Sequence, residues 1–125
     1  MLNGSCLCGD IQFTVTGTLQ SQASACHCTQ CRKQSGHHWA SHNVAASGID
    51  IQGEVTWFAS SETAKRGFCT RCGSFLFWRA LEEDQISFAL GALDDAADIA
   101  LERHIFVADK GDYYDIPDHL PQKEN

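Results

Sequence analysis

A chain of 125 residues with a formal net charge of −7 has the length of one domain (1–125) with a modest core, burying roughly two thirds of its unfolded surface. An acidic balance with no basic tract argues against nucleic acid as a partner. No apolar run approaches the roughly 18 residues of a membrane span, and Met1-Leu2-Asn3-Gly4 lacks the basic start and apolar stretch of a signal peptide, so the expected setting is the cytoplasm, without a membrane partner.

Thiols stay reduced in that compartment, so seven clustered cysteines point to metal or redox chemistry before disulfides. Charge is unevenly spread. Up to Leu81 there are six basic residues against four acids, and from Glu82 onward three against twelve. Five of the six, Arg32, Lys33, Lys65, Arg66 and Arg71, lie near a cysteine motif. There they can offset thiolate charge or attract an anion, or simply face solvent.

Cys6-Leu7-Cys8, flanked by Gly4 and Gly9, reads as half of a metal site. Ile11, Phe13 and Val15 alternate with Gln12, Thr14 and Thr16 as in a half-buried strand ending at Gly17. The small, polar stretch Thr18–Ala25 reads as a connection. It leads to Cys26-His27-Cys28-Thr29-Gln30-Cys31, three thiols too close together for unstrained disulfides but well spaced for one tetrahedral ion. A site with only three protein ligands keeps a fourth position for water or substrate, which makes this triplet the candidate reactive centre.

Arg32 to Gly36 fits one helical turn ended by glycine. A strand is expected over His38–Val44. His37, His38 and His42 could ligate zinc, yet the cysteines suffice and a half-exposed strand is the plainer reading. His27, between two ligands, should point away. Ile49–Ile51 and Val55–Phe58 suggest two strands joined by a hairpin turn at Gln52-Gly53-Glu54, followed by a loop over Ser60–Ala64.

Lys65–Ser74 carries Cys69-Thr70-Arg71-Cys72 in a glycine-bounded turn. Such a half-site needs a second pair, and Cys6 and Cys8 are the ones left. A closed four-thiolate zinc site from Cys6, Cys8, Cys69 and Cys72 would therefore staple the N-terminal region to the middle of the chain. Phe75–Trp78 is apolar on both faces, as in a buried strand. Ile86, Phe88 and Leu90 mark another strand, Leu93–Ala100 a short helix or turn whose acids face solvent, and Arg103–Ala108 a further strand. The tail from about 112 to 125 is expected to be extended and to fray. The sum is about seven short strands, a mainly β fold class.

The ordered segments GSCLCG, CHCTQCRKQSG, KRGFCTRCGS, GALDD, RHIFVADKGDYYDIPD and HLP resemble the glutathione-dependent formaldehyde-activating enzyme family, which includes centromere-protein-V-like domains. The resemblance implies a β-tent of small antiparallel sheets. It implies two zinc ions per chain, a structural one at Cys6, Cys8, Cys69 and Cys72 and a catalytic one at Cys26, Cys28 and Cys31. It further implies a carbon-sulfur lyase that joins a thiol such as glutathione to formaldehyde or another small aldehyde. Arg32 and Lys33, directly after the last ligand, are candidate clamps for glutathione carboxylates, with Arg66 a secondary candidate. Where many members of the family have tryptophan this chain has Tyr113-Tyr114, an aromatic exchange that bears on packing. Two readings from other classes stand beside the enzyme: a zinc-stapled interaction module, and a redox switch that cycles Cys26, Cys28 and Cys31 between thiol and disulfide.

Overall fold

The computed structural model describes residues 1–95 and 98–125. Alternation makes strand β2 (Gln12–Val15) two-faced, with Phe13 and Val15 buried and Gln12 exposed. It sits between β1 (Leu2–Ser5) and β5 (Ile49–Gln52), antiparallel to both, with Phe13 opposite Gly4 on one side and Ile51 on the other. These strands form one small sheet.

The second sheet has seven strands. In spatial order they are β10 (Arg103–Ile105), β3 (Leu19–Cys26), β4 (Trp39–Ala45), β9 (Gln85–Ala89), β8 (Phe75–Ala80), β7 (Ala64–Phe68) and β6 (Thr56–Ala59). Each neighbouring pair is antiparallel except β3 and β10, which are parallel. The protein is thus mainly β, with small sheets, as expected.

The core gathers Ile11, Phe13 and Val15 from the β2 region against Val44, Leu76, Phe77, Ile86 and Phe88 from the larger sheet. Phe13 meets Phe77 edge-on with ring centroids 5.3 Å apart, and Phe77 and Phe88 are fully buried. Each such ring contributes about 2 kcal/mol through removal from water. Gly4 is required by this packing. A Cβ there would stand 2.4 Å from the Phe13 ring and 2.7 Å from the Ala92 carbonyl oxygen.

One α-helix, α1 (Thr29–Ser35), ends at Gly36, whose φ of 86° is left-handed and whose N–H donates to the Arg32 carbonyl at 2.8 Å. It begins three residues earlier than the sequence suggests, because the Cys28 sulfur caps it by accepting the Cys31 N–H.

Four expectations are corrected. Thr18–Ala25 is mostly strand β3, its polar sequence ordered by pairing with β4 and β10, with an irregularity between Gln20 and Ser24 where Ser21 has φ 62°. Gln52-Gly53-Glu54 is not a hairpin turn: β5 pairs with β2 and β6 with β7, so the turn sends the chain from one sheet to the other. Gly53 is still needed, since its φ is 98° and a Cβ would meet the Asp10 carbonyl oxygen at 2.2 Å. The tail is not free near its end, because Lys123 N–H donates to the His104 carbonyl and His104 N–H to that of Pro121, both at 2.9 Å. Lys65–Phe68 belongs to strand β7, not to the cysteine turn that follows. The helix or turn expected over Leu93–Ala100 includes residues 96 and 97, which lie outside the described residues. Asp94, Asp95 and Asp98 beside them are exposed.

Candidate metal centres

Cys6 and Cys8 lie between β1 and β2, and Cys69 and Cys72 lie between β7 and β8. The fold brings all four sulfurs within 4.8 Å of one another. Cys8 Sγ is 3.6 Å from Cys6 Sγ and 3.7 Å from Cys69 Sγ. Four sulfurs about 2.3 Å from a tetrahedral ion are separated by about 3.8 Å, whereas a disulfide needs about 2.05 Å. The spacing therefore fits a metal and not a disulfide.

The surroundings favour the thiolate at Cys6 and Cys72, whereas the neighbouring thiols push Cys8 up to about 12. Ile11 N–H donates to Cys6 Sγ at 3.3 Å, and the Ser74 hydroxyl lies 3.2 Å from Cys72 Sγ. Hydrogen bonds from the Ser74 side chain and backbone pull the Cys72 thiol down to about 5.

The second cluster is assembled from three kinds of backbone. Cys26 is the last residue of β3, facing Trp39 of β4 and Ile105 of β10. Cys28 is the N-cap of α1, and Cys31 lies in its first turn. Their sulfurs also fall within 4.8 Å of one another, and Cys26 and Cys31 are buried. All seven cysteines are free. Sulfur-to-sulfur hydrogen bonds hold the Cys28 thiol well below its usual range and push Cys26 well above it. Without a cation, thiolates this close cannot all ionise together.

That donor set fits a soft divalent ion, and a buried cation completes it. Arg66 of β7 is only 5% exposed, with Nη1 3.5 Å from Cys31 Sγ and 3.3 Å from Gln34 Oε1. Its guanidinium packs over the Phe75 ring at 5.3 Å. A buried cation is costly unless paired. Three thiolates and one divalent ion carry a single negative charge, which the guanidinium balances.

The cluster opens into a cavity of about 480 Å³ lined by Cys26, Cys28, Cys31, Trp39, Trp78 and Arg66. Of the three cations singled out in the sequence, only Arg66 is in its wall. Arg32 is turned aside, its Nε donating to the Asp109 carbonyl at 3.0 Å, and Lys33 is exposed. Neither cluster includes a histidine among the described residues. His37 is exposed, His42 faces Phe88 across strand β9, and His27 is fully buried with both ring nitrogens turned to Tyr114 and His104. Tyr114 and His104 fall in the segment RHIFVADKGDYYDIPD that carries the family resemblance, but the sequence marks Tyr114 only as a packing residue and gives neither a role at the cluster.

The described residues include no helix long and apolar enough to cross a membrane. In overall shape the chain is similar to a crystal structure of a Rhodobacter sphaeroides protein, with a TM-score of 0.64 and 21% identity over 77% of this chain and 91% of that one. In sequence it is 28% identical over 88 residues to a Halomonas elongata protein named "Putative glutathione-dependent formaldehyde-activating enzyme". That match covers 62% of this chain and 55% of the relative, so the chain spans about half the length of the curated protein it matches. The family described as "Glutathione-dependent formaldehyde-activating enzyme" matches residues 1–109, which include all seven cysteines and Arg66, and the chain belongs to that family.

Proposed function

We propose that this protein is a zinc-dependent carbon-sulfur lyase, one domain with two zinc ions per chain, that adds a small thiol such as glutathione to formaldehyde or another small aldehyde. The observation that carries the reading is the position of Cys26, Cys28 and Cys31 at the wall of a cavity beside a buried guanidinium. The four-cysteine cluster has the complement of a closed structural site, and the three-cysteine cluster that of an open one.

In the reaction the thiol sulfur forms a bond to the carbonyl carbon and the thiol proton passes to the carbonyl oxygen, giving a hydroxymethyl thioether with no change of oxidation state. The chemistry a bound zinc supplies is Lewis acidity, which favours the thiolate of a substrate thiol and polarises a carbonyl. Arg66 offers positive charge to an anionic group of the thiol, while Trp39 and Trp78 exclude water around the reacting atoms. Gln30 and Thr29 stand at the same wall as neutral hydrogen-bonding groups. Arg32 and Lys33 are left for the outer part of a larger thiol.

The test is metal content per chain in the wild type and in Cys28→Ser, with glutathione and formaldehyde supplied to both. Two zinc ions falling to one, with loss of hydroxymethylglutathione formation, is the expected result. One zinc, unchanged by the substitution, would overturn the reading and bring the redox switch forward.

A further inference from the structure

Beside the three-cysteine cluster, among residues that do not line the cavity, runs a chain of four side chains joined end to end. Asp118 holds His104 Nε2, its two oxygens at 2.9 and 3.1 Å. His104 Nδ1 lies 2.9 Å from His27 Nε2, and His27 Nδ1 is hydrogen-bonded to the Tyr114 hydroxyl. His27 and His104 are buried, at 0% and 4% exposure.

With both imidazoles neutral, the protons can be arranged in one way. The carboxylate accepts from His104 Nε2–H, so His104 Nδ1 must accept. His27 Nε2–H therefore donates to it, and His27 Nδ1 accepts the Tyr114 O–H. Every polar atom along the chain is then satisfied.

The geometry matters because of where His27 sits. Its neighbours on either side are Cys26 and Cys28, the last residue of a strand and the cap of a helix, and its N–H donates to the Ile105 carbonyl at 3.0 Å. A side chain fixed between two ligands fixes the direction of both.

We propose that Tyr114, His104 and Asp118 are positioning residues, which act through His27 to hold the Cys26–Cys28 backbone in the shape that keeps three thiols on one metal ion. This rests on the reading of Cys26, Cys28 and Cys31 as a metal site. Partners hydrogen-bonded directly to metal ligands typically change metal affinity by about tenfold or more, and here the same constraint is passed to the ligands through the His27 backbone.

The full chain is loaded with zinc, or with cobalt(II) for its thiolate charge-transfer absorption, and challenged with a chelator and iodoacetamide. The proteins compared are the wild type, Tyr114→Phe, Asp118→Ala and, as a control on the exposed tail, Asp115→Asn. Tyr114→Phe removes one hydroxyl and keeps the ring. Expected is roughly tenfold faster metal release in the first two variants, an altered cobalt spectrum, and alkylation at Cys26, Cys28 and Cys31 ahead of Cys6, Cys8, Cys69 and Cys72. Release and spectra equal to wild type would overturn the proposal, as would all seven thiols reacting together, which marks general destabilisation. Only one metal in the wild type would overturn the functional reading instead. Alkylation of the metal-free triplet then decides the positioning role: faster reaction in Tyr114→Phe supports it and equal rates refute it.

Discussion

Arg66 and Cys31, 35 residues apart in sequence, meet in the buried interior with Nη1 3.5 Å from Sγ. In the larger sheet β7 stands four places from β3, the strand that ends in Cys26, and the fold still sets Arg66 and the three cysteines around one cavity. Arg66→Gln keeps hydrogen-bonding capacity but removes the charge opposing the thiolates. Turnover should fall at least tenfold, and in metal-free protein Cys31, deprived of the cation that favours its thiolate, should be alkylated more slowly, with the fold retained. Unchanged kinetics in a steady-state assay would remove Arg66 from the site.

Removing one sulfur from the four-cysteine cluster should act on stability before activity. In Cys69→Ser the remaining thiols lose the ion that ties the β1–β2 connection to the β7–β8 connection. Metal-linked folding energy at structural sites is about 10 kcal/mol or more, which exceeds the stability of most small domains. The variant should be largely unfolded by circular dichroism at 25 °C, whereas Cys28→Ser should keep the wild-type spectrum.

Gly4→Ala tests the packing of the small sheet on the large one. The added methyl group meets the buried Phe13 ring, which cannot swing away without displacing Phe77. A loss of about 1–3 kcal/mol is expected, read as a lower midpoint in urea. Leu7→Ala, at a side chain 89% exposed, should leave the midpoint in place.

Acid should destabilise the protein through its buried histidines. Burial lowers His27 to about 4 and also lowers His42, whose Nδ1 accepts the Asn43 N–H at 2.9 Å. Between about pH 6.5, where these groups protonate in the unfolded chain, and their lower folded values, the unfolded state binds more protons. Stability therefore rises with pH across that window and is lost on acidification. The urea midpoint should drop between pH 7 and pH 5, and His42→Gln should drop less. Metal loss affects both proteins alike, so parallel pH profiles would rule out His42 as a contributor.

What the sequence discloses follows from the range of the interactions involved. The cysteine motifs are legible because ligand spacing is local chemistry, and pairing the half-sites needs only a count of the remaining thiols. Strands β2, β8 and β9 are legible from alternation or from apolar runs. Leu19–Cys26 is not, since Gln20, Ser21, Gln22 and Ser24 carry no apolar rhythm and the strand exists because β4 and β10 pair with it. Gly53 correctly marks a turn but cannot reveal that the next strand joins another sheet. Arg66 was singled out by its nearness to a motif, yet only the fold ranks it ahead of Arg32 and Lys33 at the cluster. His27 meets partners 77 and 87 residues away, and although both fall in the quoted segment RHIFVADKGDYYDIPD, nothing local pairs them with His27.

The parallel contact of β10 with β3 also sets a timetable for a nascent chain. The four-cysteine cluster has all its ligands once Cys72 has been made, but the support behind Cys26 and Cys28 waits for Tyr114 and Asp118. At roughly 5–20 residues per second Tyr114 and Asp118 are made seconds after Cys72. During that interval the three central thiols are synthesised but unbraced, exposed to oxidants or to the wrong ion. On the proposed reading, the three-cysteine cluster would select its metal late, after the four-cysteine cluster could already have closed.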